Sequence, residues 1–224
     1  TDGSTTASYK YDASGIRTEK TVGSDTTVFN LVGSQITWQQ TDTDDPIYFL
    51  YDSGGILWGL EYDSNTYFYV RNPQGDIIKI VDDIGTVMVE YAYDAWGNPM
   101  GATGSMASTL GVDNPFRYRG YYFDEETDLY YLNQRYYNSE WGRFINSDDL
   151  LGQTGGLLTH NLFAYCANNP VMYQDSNGQF FMLITGLIGA AVGAIVGGVT
   201  KFVMKQLLTR TTHHKRSAHI AKQM

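Results

Sequence analysis

The sequence predicts an all-β, antiparallel fold up to residue 179, followed by an apolar helix. Three observations carry that reading. One short phrase recurs from Tyr9 to about Met100: an aromatic pair, Asp, two or three residues, Gly, then a β-branched run. Aromatic residues make up 14% of the chain against only 17% charged, a balance that favours strands over coiled coil or disorder. Seven tyrosines lie between Tyr118 and Tyr137, mostly as adjacent pairs, with Arg117, Arg119 and Arg135 interleaved. Adjacent strand residues face opposite sides of a sheet, so each pair puts a ring on both faces, and both faces need cover.

Taken in order, the phrase reads Tyr9-Lys10-Tyr11-Asp12-Ala13-Ser14-Gly15-Ile16, then Tyr51-Asp52-Ser53-Gly54-Gly55-Ile56, then Tyr91-Ala92-Tyr93-Asp94-Ala95-Trp96-Gly97-Asn98. Variants occur at Tyr62-Asp63-Ser64-Asn65, Asn72-Pro73-Gln74-Gly75 and Asp82-Asp83-Ile84-Gly85. Asp starts a turn by bonding its own backbone, and Gly takes the positive φ that follows. The runs between, such as Thr66-Tyr67-Phe68-Tyr69-Val70, are β-formers. Short strands with no core of their own must stack on neighbours to bury a face, so one continuous sheet is expected over 1–178. The alternative is an ordinary β-sandwich.

Gly101 to Gly111 is small and polar and reads as a loop. From Asn114 the aromatic stretch begins, and its arginines can stack on rings and fork onto Asp124, Glu125, Glu126 and Asp128. Cys166 is the single cysteine, which excludes an internal disulfide framework and a thiolate metal cage and suits a buried, inert thiol.

The density of this stretch is more specific than its composition. Asn114-Pro115-Phe116-Arg117-Tyr118-Arg119-Gly120, Leu129-Tyr130-Tyr131-Leu132-Asn133-Gln134-Arg135-Tyr136-Tyr137, Trp141-Gly142-Arg143-Phe144 and Asn168-Asn169-Pro170 closely resemble the Rhs repeat-associated core. That core closes the β-shell of Rhs/YD-repeat proteins, insecticidal toxin-complex C subunits and, more distantly, teneurins. The upstream phrase looks like the YD repeat, whose sheet spirals into a hollow shell. The resemblance divides the chain into YD-type repeats over 1–112, the core over 113–179 and a variable C-terminal segment over 180–224. It also implies two carboxylate positions, because many members of the family cut themselves at the end of the core. Asp148 is the first candidate, with Asp149 its rival. Asp175 is either the second carboxylate or part of the recognition turn, and Gly178 and Gln179 occupy the cleavage signature. The family usually reads Asp-Pro at both places and an apolar residue at the second, whereas this chain has Asp148-Asp149 and Asp175-Ser176-Asn177-Gly178-Gln179. Self-cleavage is therefore expected to be slow or lost.

Past Gln179 the composition changes. Phe180 to Thr200 carries no charge, and as a helix would be about 30 Å long, the thickness of a hydrocarbon core. Gly189, Gly193 and Gly197 recur every four residues with Gly186 adjoining, the spacing that lets helices approach closely in lipid. Membrane insertion is the first reading of this run, and a glycine-rich linker tucked inside the shell is the second. No acidic residue follows Asp175, and Lys201, Lys205, Arg210, Lys215, Arg216 and Lys222 make the tail basic. The first 175 residues carry nine basic and 24 acidic side chains, a net −15, which argues against nucleic acid as a partner of the body. His213, His214 and His219 stand beside no acid and read as part of a solvated basic tail.

Three functions compete. The chain closes an Rhs-type shell around its own C-terminal segment, a bacterial polymorphic-toxin arrangement in which a target cell or an immunity protein is a further partner. It acts as an intramolecular aspartyl protease, since two carboxylates sharing a proton can activate water. Or it anchors a surface β-shell to a membrane through 180–200. Shell closure is preferred, with secretion or cell-surface location, and no cofactor or metal is expected.

Overall fold

A computed structural model describes residues 6–148 and 161–179 together with the backbone of Phe181–Leu183. Asp149 and the glycines at 186, 189, 193 and 197 lie outside the described residues, as does the whole run from 184 to 224.

Ten strands form one antiparallel sheet in strict chain order: β1 (Ala7–Tyr11), β2 (Arg17–Val22), β3 (Asp25–Val32), β4 (Gln35–Thr41), β5 (Ile47–Tyr51), β6 (Leu57–Tyr62), β7 (Asn65–Arg71), β8 (Ile77–Val81), β9 (Val87–Tyr93) and β10 (Pro99–Thr103). The repeated phrase is the reversal between them. Asp12 Oδ1 accepts from the N–H groups of Ser14 and Ile16 at 2.8 and 2.9 Å, and Gly15 follows at φ 79°. Asp52, Asp82 and Asp94 repeat the arrangement, and Asn72 does the same with its amide oxygen. A register shift sits just before the turn residue at Lys10/Tyr11, Leu50/Tyr51, Val70/Arg71 and Ile80/Val81, so each reversal also adds local twist. Asp63 and Ser64, both at positive φ, make a two-residue hairpin turn between β6 and β7.

Alternation then sorts the faces. Phe29, Ile47, Phe49, Leu60, Tyr67, Tyr69, Ile80, Val89 and Tyr91 bury one side, while Val28, Tyr48 and Val70 look outward. Gly59 must be glycine, because a Cβ there would stand 2.4 Å from the Tyr67 carbonyl oxygen on the next strand.

Among the described residues after β10, Leu110, Phe116, Tyr122 and Tyr131 pack on that buried face. The stretch read as a loop instead carries β10 to Thr103 and a one-turn helix, α1 (Leu110–Asp113), whose Leu110 is fully buried in the shared core. Four short strands, β11 (Tyr122–Asp124), β12 (Leu129–Tyr131), β13 (Tyr136–Asn138) and β14 (Arg143–Phe144), form a second sheet. A third pairs β15 (Tyr173–Asp175) with β16 (Phe181–Leu183). The expectation of one continuous sheet thus holds for β1–β10 only. The aromatic core folds into separate sheets, and Phe116, Tyr122 and Tyr131 pack into the core of the first sheet. Phe116 meets Phe49 edge-on at 4.8 Å and Tyr122 meets Phe29 at 5.6 Å, so the two sheets share an interior.

Candidate functional site

Polar groups buried under those rings need partners, and the core obtains them both within itself and across the interface. Tyr118, Tyr130 and Tyr137 donate to the carbonyls of Ala95, Gly97 and Trp96, capping the β9–β10 turn with three phenols. Asn114, fully buried, accepts from Tyr69 and donates to the Phe116 carbonyl at 2.7 Å. Arg117 reaches Glu125 and the Gly111 and Val112 carbonyls. Arg119 reaches the Gln74 and Pro170 carbonyls and lies 3.5 Å from Asp76. At the other end, Arg17 of β2 is sealed between Tyr9, Phe29, Tyr122 and Tyr131, with its Cζ 4.3–5.2 Å from each ring centre. Among the described residues its anion is Asp124 at 2.6 Å, which Lys20 also approaches at 3.3 Å.

The two described carboxylates predicted to act together meet on one guanidinium. Arg135, in the short turn between β12 and β13, sends Nη1 to Asp148 Oδ2 at 3.0 Å and Nη2 to Asp175 Oδ2 at 3.3 Å. Its Nε donates to the Gly178 carbonyl, Nη1 also reaches the Leu162 carbonyl at 3.2 Å, and the guanidinium stacks 3.7 Å over the Phe144 ring. Asp148 keeps 17% of its side chain exposed whereas Asp175 keeps 3%, so solvent reaches the first far more readily.

Asp175 also builds the turn that follows it. Its Oδ1 accepts from the N–H groups of Asn177, Gly178 and Gln179 at 3.3, 2.8 and 3.1 Å. Burial pushes its carboxyl above the usual carboxylate range, against the opposing pull of Arg135 and those N–H groups. Gly178 sits at φ 78°, and a Cβ there would meet the Leu132 carbonyl oxygen at 2.9 Å. The turn closes without the family's proline because three N–H bonds do the work of a fixed φ.

Arg135 was not singled out by sequence reasoning, which treated it as one more ring-stacking cation. The available signal was charge: two carboxylates in one buried place need a cation, and only nine basic residues precede position 175. Cys166 is buried as expected, and burial raises its thiol to about 12. Among the described residues, no three His, Cys, Asp or Glu gather as a metal site, and no helix is long and apolar enough to cross a membrane.

Comparison with known proteins agrees with this architecture. The family model described as teneurin YD-shell matches residues 1–171. The tRNA nuclease WapA of Bacillus subtilis is 41% identical over 181 residues, 80% of this chain and 8% of that protein. Toxin protein Tse5 of Pseudomonas aeruginosa is 43% identical over 84 residues, 37% of this chain and 6% of that protein. Among solved structures, the TcdB2–TccC3–Cdc42 crystal structure superposes with a TM-score of 0.62 at 22% identity, covering 84% of this chain and 9% of that one. The chain therefore spans less than a tenth of the length of these relatives.

Proposed function

The chain belongs to the teneurin YD-shell family, and from that premise we propose that it is the closing end of an Rhs-type β-shell that encloses its own C-terminal segment. The kinship with toxin proteins and with a toxin-complex shell fits a toxin-related role in a secreted system. The observation that carries the reading is the way the core fastens itself to the buried face of the repeat sheet through Arg17, Arg119 and three phenols rather than extending that sheet. An ordinary further repeat would pair edge to edge. On this reading the core closes the shell, and the C-terminal segment 180–224 is its cargo. Trypsin applied to the intact protein tests the idea. Sites from Lys201 to Lys222 should resist cutting until the shell is denatured, and cutting at the rate of an unfolded peptide would refute enclosure.

The joint hold of Arg135 on Asp148, Asp175 and Gly178 favours a second activity, self-cleavage at Gln179–Phe180. Asp148, the more exposed carboxylate, takes a proton from water as the water oxygen bonds to the Gln179 carbonyl carbon. Asp175, whose burial favours its protonated form, supplies a proton to the leaving Phe180 nitrogen as the C–N bond breaks. Arg135 fixes the backbone one residue before that bond. Gln179, in place of the family's apolar residue, keeps the step slow. Mass spectrometry of the purified chain should show a minor fragment beginning at or next to Phe180. Ser176→Pro with Gln179→Leu should enlarge it, and Asp148→Asn should remove it. A fragment that persists in Asp148→Asn would refute the assignment.

A further inference from the structure

Asp175 is gripped at its backbone as well as its carboxylate. The Tyr121 hydroxyl donates to the Asp175 carbonyl and lies 3.1 Å from the Tyr165 hydroxyl. A phenol has one proton, so if Tyr121 donates to Asp175 it must accept from Tyr165. The order is then Tyr165 to Tyr121 to the Asp175 carbonyl, a chain in which each bond polarises the next. Both rings are buried, Tyr165 completely.

The elements presenting these groups are themselves strained. Arg119 and Gly120 stand at φ 55° and 70° immediately before Tyr121. Cys166, Ala167 and Asn168, immediately after Tyr165, stand at 50°, 51° and 60°, a left-handed turn containing no glycine. Left-handed backbone is costly for a non-glycine residue and persists only where surroundings over-determine it, commonly at functional sites. Arg119 keeps the first turn in place through Gln74 and Pro170, and its N–H bonds Asp76 at 3.0 Å. Two strained turns from opposite ends of the core thus converge on one residue.

We infer that Tyr121 is a positioning residue for the scissile turn, holding Asp175 by its carbonyl, with Tyr165 fixing the direction of the Tyr121 proton. This inference rests on the self-cleavage reading for its consequence but not for its geometry. If the carbonyl is released, Asp175 moves relative to Arg135, and the three N–H bonds on Oδ1 move with it. A displacement of about 1 Å at such a site can cost about a hundredfold in rate.

The test is Tyr121→Phe, which keeps the ring and removes the hydroxyl, made both in the native chain and in the Ser176→Pro/Gln179→Leu variant. Amide exchange at Asn177, Gly178 and Gln179 should accelerate at least about tenfold while exchange in β3–β9 stays unchanged. Cleavage in the faster background should fall about ten- to hundredfold with its pH profile unaltered. Tyr165→Phe should shift both readouts in the same direction by less. Unchanged exchange at 177–179 in Tyr121→Phe overturns the inference, as does exchange that accelerates throughout the core, which would mark Tyr121 as a packing residue only. Should no variant cleave, the self-cleavage reading fails, and the exchange measurement alone judges the role of Tyr121.

Discussion

Replacing Asp124 with Ala should be among the most damaging single changes in the protein, and replacing Arg17 along with it should undo most of the damage. Both side chains are fully buried, 2.6 Å apart, and Arg17 Nε and Nη2 have no acceptor among the described residues. The four rings around the guanidinium soften its desolvation but supply no anion. Asp124→Ala therefore leaves an uncompensated buried cation, at about 3–5 kcal/mol. For a domain of this size that corresponds to a fall in melting temperature of roughly 6–20 °C. Arg17→Met with Asp124→Leu removes the charge, the two orphaned donors and the anion together, and swaps of that kind are commonly neutral or stabilising by about 1–4 kcal/mol. Urea unfolding of the wild type, Arg17→Met, Asp124→Leu and the double variant forms a complete cycle, with Asp124→Ala measured beside it, and the coupling is read directly from the cycle. An Asp124→Ala cost below about 1 kcal/mol, or a double variant as unstable as the sum of the singles, would show that the pair is not the isolated buried charge described.

Three further outcomes follow from other places in the structure. Gly59→Ala should destabilise by several kcal/mol, since its Cβ would overlap a backbone oxygen that cannot turn aside, and thermal unfolding measures it. Gly178→Ala should loosen the turn after Asp175 and abolish any fragment starting near Phe180, because it adds left-handed strain to a contact with the Leu132 carbonyl; an unchanged fragment yield would contradict this. The Asp175 carboxyl is raised in the folded protein, so its neutral form favours folding below the unfolded value near 3.9, and that contribution is lost as pH climbs through the folded value. The melting temperature of the wild type should accordingly lose ground to Asp175→Asn as pH rises above about 4, and a gap moving the other way would reverse the sign argued here.

Where interactions are local, the residues announced them. The Asp-to-Gly reversals were readable because Asp12, Asp52, Asp82 and Asp94 bond amides only two and four residues away. The pairing of Asp148 with Asp175 was expected from a resemblance rather than from spacing, and Arg135, which contacts both, is separated from them by 13 and 40 residues of chain, a distance that pattern reading does not cross. Arg17 was invisible for another reason. It sits in Ile16-Arg17-Thr18-Glu19-Lys20, which reads as a solvated edge, and only the arrival of β11 more than a hundred residues later buries it. Gly101 to Gly111 misled because small residues suit a turn, an edge strand and a single helical turn equally well, and the choice was made by Leu110 finding the core.

The strict chain order of β1 to β10 also sets a timetable. Each strand pairs with one already made, so the sheet can lengthen hairpin by hairpin as the chain leaves the ribosome, with little loop entropy to overcome at any step. Its inner face stays wet during that growth, since Tyr122, Phe116 and Tyr131, which cover it, come last. Arg17 in particular must wait, with its partner 107 residues downstream. Growth is thus gradual and sealing is late. A chain interrupted before Asn114 would own a nearly complete sheet with an open greasy face, the kind of surface that recruits chaperones or other copies of itself.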